Sequence, residues 1–179
     1  TWFQASAEMM ELITIALECH LATDRLFNPA ILPDLQVAGY DRSMEQLRLH
    51  GADAKPQKLL APVLPFHNVQ LDIDQNRILL PTNMQIDLGG IAKGWIAEKA
   101  ATILAAYSSA CVVNAGGDMF LIGHPNGQNW EVVLEDPLDQ TQDVLMLLVE
   151  DGAVATSSTT KRLWTQGEQV RHHLIDPRS

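Results

Sequence analysis

Asp87-Leu88-Gly89-Gly90-Ile91-Ala92-Lys93-Gly94 is the stretch on which the reading of this chain turns. Before it, from Met84 to Leu88, the pattern has period 2; after it the period is about 3.6, so a strand gives way to a helix here. Two adjacent glycines at the junction let the backbone come close to a ligand. The unpaired amides at a helix start form an anion site. A lysine in the first helical turn opposes the helix macrodipole, so Lys93 is badly placed unless an anion sits beside it. A tight strand-to-helix turn with an exposed lysine fits the same residues equally well. The order of glycines matches neither a Walker loop nor a Rossmann fingerprint.

Downstream, the pattern predicts a helix from about Gly90 to Tyr107, with Ala92, Ile96, Ala100 and Ile103 on one stripe and Trp95 beside it. After it come only strand-like segments: Cys111 to Asn114, Met119 to Ile122, Trp130 to Glu135, Val144 to Val149, Ala153 to Thr156, Lys161 to Thr165 and Val170 to Ile175. Upstream, Val69 to Ile73 and Arg77 to Leu80 flank Asp74-Gln75-Asn76 as a hairpin. Residues from Ser43 to Pro65, with Pro56 and Pro62, read as surface helix and loop. Prolines from Pro29 to Pro33 predict a loop reaching Gly39. Before them, Ser6 caps a helix to about Thr23 that is apolar nearly all round. Early helices and late antiparallel strands make the class α+β, a single domain over residues 1–179.

Composition narrows the function. With 46% hydrophobic and 19% charged residues the chain can bury a core. No apolar run approaches the roughly 18 residues of a membrane span. A net charge of −10 without a basic cluster argues against nucleic acid as a partner. It also means that a phosphate ligand has to be held by local devices: helix amides, a placed lysine or a divalent cation. Cys19 and Cys111 lie in apolar surroundings and read as two buried free thiols. The sequence starts without an initiating Met and stops within a motif, so it reads as cut at both ends.

Three further segments carry polar groups suited to chemistry. Asn114-Ala115-Gly116-Gly117-Asp118 places a glycine pair at a strand end, as a bulge or for the close approach of something flat or charged. Val154-Ala155-Thr156-Ser157-Ser158 offers hydroxyls. His172-His173-Leu174-Ile175-Asp176-Pro177-Arg178 puts two imidazoles on opposite faces of a strand, so the pair cannot chelate one metal. Each alone is compatible with a structural role.

Taken in order, these segments, the Asp87–Gly94 stretch and Trp130 to Pro137 (WEVVLEDP) resemble the ApbE family of FAD:protein FMN transferases, with Leu26-Phe27-Asn28-Pro29 similar to the segment by which that family enters the domain. The resemblance covers residues from about 6 to 179. It implies an antiparallel-strand-rich, T-fold-like domain with two main helices. It also implies cleavage of FAD and transfer of its FMN half, as a phosphoester, to a Thr or Ser of a partner redox flavoprotein; some members hydrolyse FAD instead. Asp87, Gly89, Gly90, Ala92 and Lys93 would line the flavin and pyrophosphate region, with Gly116, Gly117 and Asp118 near it and Thr156 and Ser157 facing the phosphates.

The resemblance makes His173 the candidate base, because an imidazole with an ordinary pKa of about 6.5 suits removal of a hydroxyl proton at neutral pH. It implies magnesium as the counter-charge of the pyrophosphate, with the Ala92 backbone carbonyl as one ligand and the others beyond Ser179. It places such proteins in the periplasm or cell envelope, anchored through an N-terminal lipid, although a cytoplasmic protein fits this sequence too. Ser158 departs from the family, which carries glycine after Thr-Ser. A flavin-binding module, or an interaction domain without ligand, is the alternative to the enzyme. Asp151 to Thr156 is faintly similar to the acceptor sequence of these enzymes, but a turn leading into a strand explains it better.

Overall fold

A computed structural model describes residues 1–52, 64–139 and 141–178. In chain order its elements are β1 (Phe3–Gln4), α1 (Ala7–Ala22), α2 (Leu32–Val37), α3 (Met44–His50), β2 (Gln70–Asp72), β3 (Arg77–Leu79) and α4 (Gly89–Ala105). There follow β4 (Cys111–Asn114), β5 (Met119–Ile122), β6 (Trp130–Glu135), β7 (Asp143–Val149), β8 (Gly152–Val154), β9 (Leu163–Gln166) and β10 (Gln169–His172). Helices and antiparallel strands in this order are the expected α+β class. The chain divides into two compact units, Thr1–Gly90 with Lys161–Ser179, and Ile91–Thr160.

In the first unit α1 begins where the sequence predicts, because the Ser6 hydroxyl accepts a hydrogen bond from the Met9 amide at 3.2 Å. It buries Met10, Leu12, Ile13, Ala16 and His20, and the His20 ring meets Phe66 edge to face. Burial of Met10, Leu12 and Ile13, each contributing about 1.5–3 kcal/mol, holds the helix far more than its intrinsic propensity does. The expected hairpin forms, Leu71 opposite Ile78, and β1 adds to its far side in the order β1-β3-β2, all antiparallel.

The proline-rich stretch is not the loop it was expected to be. Pro29 opens a short 3-10 turn from Pro29 to Ile31, capped by the Asn28 side chain, and Pro33 sits in the first turn of α2. There its missing N–H would have had no helical partner in any case, so proline starts these helices rather than breaking them. The β9–β10 hairpin is tethered in the same unit: Trp164 Nε1 donates to Ala38 O at 2.7 Å and Gln166 Nε2 to Val37 O at 2.9 Å. The expected surface helix is α3, with Leu47 buried; Pro56 and Pro62 lie outside the described residues.

In the second unit β4, β5 and β8 form an antiparallel sheet in that order, and β6 pairs with β7. Against expectation, α4 buries Ala97 and Ala101, while Ile96 and Ile103 are exposed. A helix apolar nearly all round does not declare its inner face; small alanines let its backbone approach closely enough for the Cys111 thiol to donate to Ala101 O at 3.4 Å. Both cysteines are free as expected, but half-buried rather than buried. No helix among the described residues is long and apolar enough to cross a membrane.

Candidate functional site

At the Asp87 junction residues 84–88 are coil, not strand, and the helix starts one residue early, at Gly89. Asp87 is fixed at both ends of its own residue: its amide donates to Pro29 O at 2.8 Å, and its Oδ1 accepts from the Gly89 amide at 2.9 Å. The carboxylate thus occupies one of the free amides predicted for an anion, and its charge complements the helix start. Gly90 is small for a nearby reason: a Cβ there would lie 3.2 Å from Phe27 Cε2. Asp87, Gly89, Gly90 and Phe27 belong to the first unit.

Because α4 starts at Gly89, Lys93 is one residue past the first turn, where the macrodipole has faded. Its charge is answered instead by Asp118: Nζ lies 2.7 Å from Oδ2. The second glycine pair lies at a strand end, as expected, and forms the hairpin turn between β4 and β5 rather than a bulge. Gly116 and Gly117 take φ of +73° and +99°, conformations that cost glycine little and a larger residue much. The Gly117 amide donates to Asn114 Oδ1 at 2.8 Å and the Ala115 amide to Asp118 O at 2.7 Å.

Thr156 comes to the same turn, its hydroxyl donating to Gly117 O at 3.1 Å; a Cβ on Gly117 would stand 2.9 Å from that hydroxyl oxygen. Lys93, Gly116, Gly117, Asp118 and Thr156, predicted separately from three segments, are therefore brought together within the second unit. Exposed Ser157 follows Thr156 beyond β8. The likeness of Asp151 to Thr156 to an acceptor sequence dissolves here, since Gly152–Val154 is a strand paired with β5.

The last strand, β10, ends at His172, whose register partner is Leu163. The expected strand to Ile175 therefore stops short of His173, and strand alternation does not govern the pair; His173, just past the strand, is half-buried, whereas His172 is exposed. Three residues on, Asp176 is gripped by Arg178, whose Nε and Nη2 donate to it at 2.9 and 2.7 Å. Those side-chain hydrogen bonds, with the Arg178 amide, hold the Asp176 carboxyl down at about 2, below its ordinary value. His173 and Asp176 belong to the first unit.

Sequence reasoning missed that the anion Lys93 needs is supplied by the chain itself. Asp118 closes a glycine turn one strand after the helix, and nothing in either segment announces the pair: it exists only once β4 and β5 are paired. For Lys93→Ala we expect stability to fall by about 1 kcal/mol, the upper end for an ion pair whose lysine is one-third exposed to screening water. FAD affinity should fall with it, as read by flavin fluorescence; an early melt with unchanged affinity would make Lys93 purely structural.

The whole chain, residues 1–179, matches the model of the ApbE family. A FAD:protein FMN transferase of Klebsiella pneumoniae (strain 342) is 28% identical over 97% of this chain and 53% of its own length. One from Treponema pallidum (strain Nichols) is 34% identical over 55% of this chain and 30% of its own. The crystal structure of the ApbE protein of Thermotoga maritima superposes with a TM-score of 0.80 at 27% identity, over 99% of this chain and 58% of that one. The Pseudomonas stutzeri flavinyl transferase ApbE, at 18% identity and a TM-score of 0.74, shares the fold. The chain thus spans about half the length of relatives that it matches end to end. With the motif order, the glycine turns and the fold all in agreement over its full length, this chain belongs to the ApbE family.

Proposed function

We propose that the protein containing this chain is a FAD:protein FMN transferase. The observation that carries this reading is the Lys93–Asp118 pair beside a left-handed glycine turn and the Thr156 hydroxyl. The turn's bare backbone, a hydroxyl and a lysine whose side chain is one-third exposed make a polar surface on which a pyrophosphate can be held. The relatives' activity supports the same assignment.

In the reaction proposed, a Thr or Ser oxygen of an acceptor redox flavoprotein attacks the phosphorus on the FMN side of the FAD pyrophosphate. A new P–O bond forms, the pyrophosphate P–O bond breaks and AMP leaves. The acceptor's proton passes to His173 and from it to solvent, which returns the imidazole to its neutral form. Lys93 receives pyrophosphate oxygens, Thr156 and Ser157 offer hydroxyls to the phosphates, and the Gly116-Gly117 backbone leaves room for the dinucleotide beside them. Magnesium would neutralise the leaving charge, with the Ala92 carbonyl as one ligand. The described residues contain no group of three or more His, Cys, Asp or Glu able to hold a metal. They do not by themselves make a magnesium site. A cell-envelope location belongs to the same proposal.

Titration of the complete protein with FAD, NAD and ATP tests the reading. FAD should bind saturably below tens of micromolar, about −6 kcal/mol or better, and the other two more weakly. Absence of saturable FAD binding would end it.

A further inference from the structure

The ion pair that carries the proposed function also limits it. Asp118 reaches Lys93 from the β4–β5 turn, its side chain 13% exposed against 35% for the lysine, so the carboxylate is the better-sheltered partner. Its backbone is pinned by the Ala115 amide on Asp118 O, and the preceding Gly117 by Asn114. The lysine, on four rotatable carbons, is the partner able to move. Any phosphate oxygen that comes to Nζ therefore meets an ammonium already balanced and a fixed carboxylate close behind it, in a chain that carries −10 overall.

We propose that Asp118 is a specificity-determining residue for phosphate binding at Lys93. As a resident counter-anion it depresses the affinity of that lysine for bare anions, so that a ligand is retained only when the rest of the dinucleotide adds contacts of its own. Free phosphates, abundant wherever nucleotides are, then compete poorly with the larger substrate. The inference rests on the flavin dinucleotide reading in taking Lys93 as the phosphate contact.

The test is calorimetric titration of the complete protein with inorganic pyrophosphate, at low salt and without divalent cations. Asp118→Asn, which removes the charge and keeps the shape, should bind pyrophosphate at least about tenfold more tightly than wild type, and the gain should shrink as salt is raised. Asp118→Glu should stay within about threefold of wild type, since the charge is retained. Adding Lys93→Ala to Asp118→Asn should remove the gain. A structural role for Asp118 would only weaken binding, so unchanged or weaker pyrophosphate binding by a folded Asp118→Asn protein overturns the inference. Asp118→Ser serves as a second uncharged variant, and failure of both to fold would also overturn it, because a residue required for folding is not there to set affinity. Insensitivity to Asp118 in a protein that still binds FAD, and loses it with Lys93→Ala, removes the inference alone. A wild-type protein that binds no FAD removes the reading beneath it.

Discussion

Replacing His173 by Ala in the complete protein is expected to lower FMN transfer by about 10²- to 10⁴-fold while leaving FAD affinity near that of wild type. His172→Ala should do little. A general base acts on the proton in flight, so its loss shows in turnover rather than in ground-state binding. The two histidines make a matched pair for this purpose: adjacent in sequence, one exposed at the end of β10 and one half-buried just past it. Covalent flavin on an acceptor peptide, read by mass, is the measurement. Equal loss in both variants would point to folding, and full activity in His173→Ala would remove it as the base.

The pH dependence can be read cleanly beside it. Asp176 has a folded value lowered to about 2 by Arg178, so what the pair contributes is present above the ordinary carboxylate range and lost as pH falls through about 2. Arg178 is raised above its already high value by the same pair. Neither titrates near neutrality, so a rate change there belongs to another group.

How far the sequence reached depended on whether the determining contact was local. The Ser6 cap, the period of α1 and the turn between β2 and β3 are each decided within a few residues, and all were legible. The glycine segments, the Thr-Ser pair and the His-x-Ile-Asp-Pro-Arg run were legible as a family pattern, because their order is itself information. The prolines misled because the same residue that breaks a helix interior starts a helix when it falls in the first turn, and one position separates the two outcomes. The inner face of α4 was not legible, since Ile96 and Ala97 are both apolar and only tertiary packing buries the smaller. Nor was the Lys93–Asp118 pair, which exists through β4–β5 pairing and through no feature of either segment alone.

The same pairing locates the residue on which the second unit of the fold is most exposed to failure, and it lies outside every motif. Gly123 ends β5 with φ +72°, and a Cβ there would stand 1.9 Å from Ser109 O and 3.0 Å from its carbonyl carbon. Both are backbone atoms and cannot rotate away. Its amide donates to Asp151 Oδ1, and its carbonyl accepts from Trp130 Nε1 at 2.8 Å, so the position joins the ends of β5 and β7 to the start of β6. Gly123→Ala is therefore expected to cost about 3 kcal/mol or more, from left-handed strain added to a backbone clash. Gly116→Ala is the control: it shares the positive φ, but its Cβ would enter open space, so about 1 kcal/mol is expected. Because β5 begins at the Asp118 turn and pairs with both β4 and β8, displacement at Gly123 should reach the Lys93 contact, and FAD affinity should fall with the melting midpoint. Chemical denaturation of both variants beside a flavin titration measures the two effects together. A Gly123→Ala protein that melts with Gly116→Ala and binds FAD normally would mean that Ser109 yields, and that the β5 end does not hold the site.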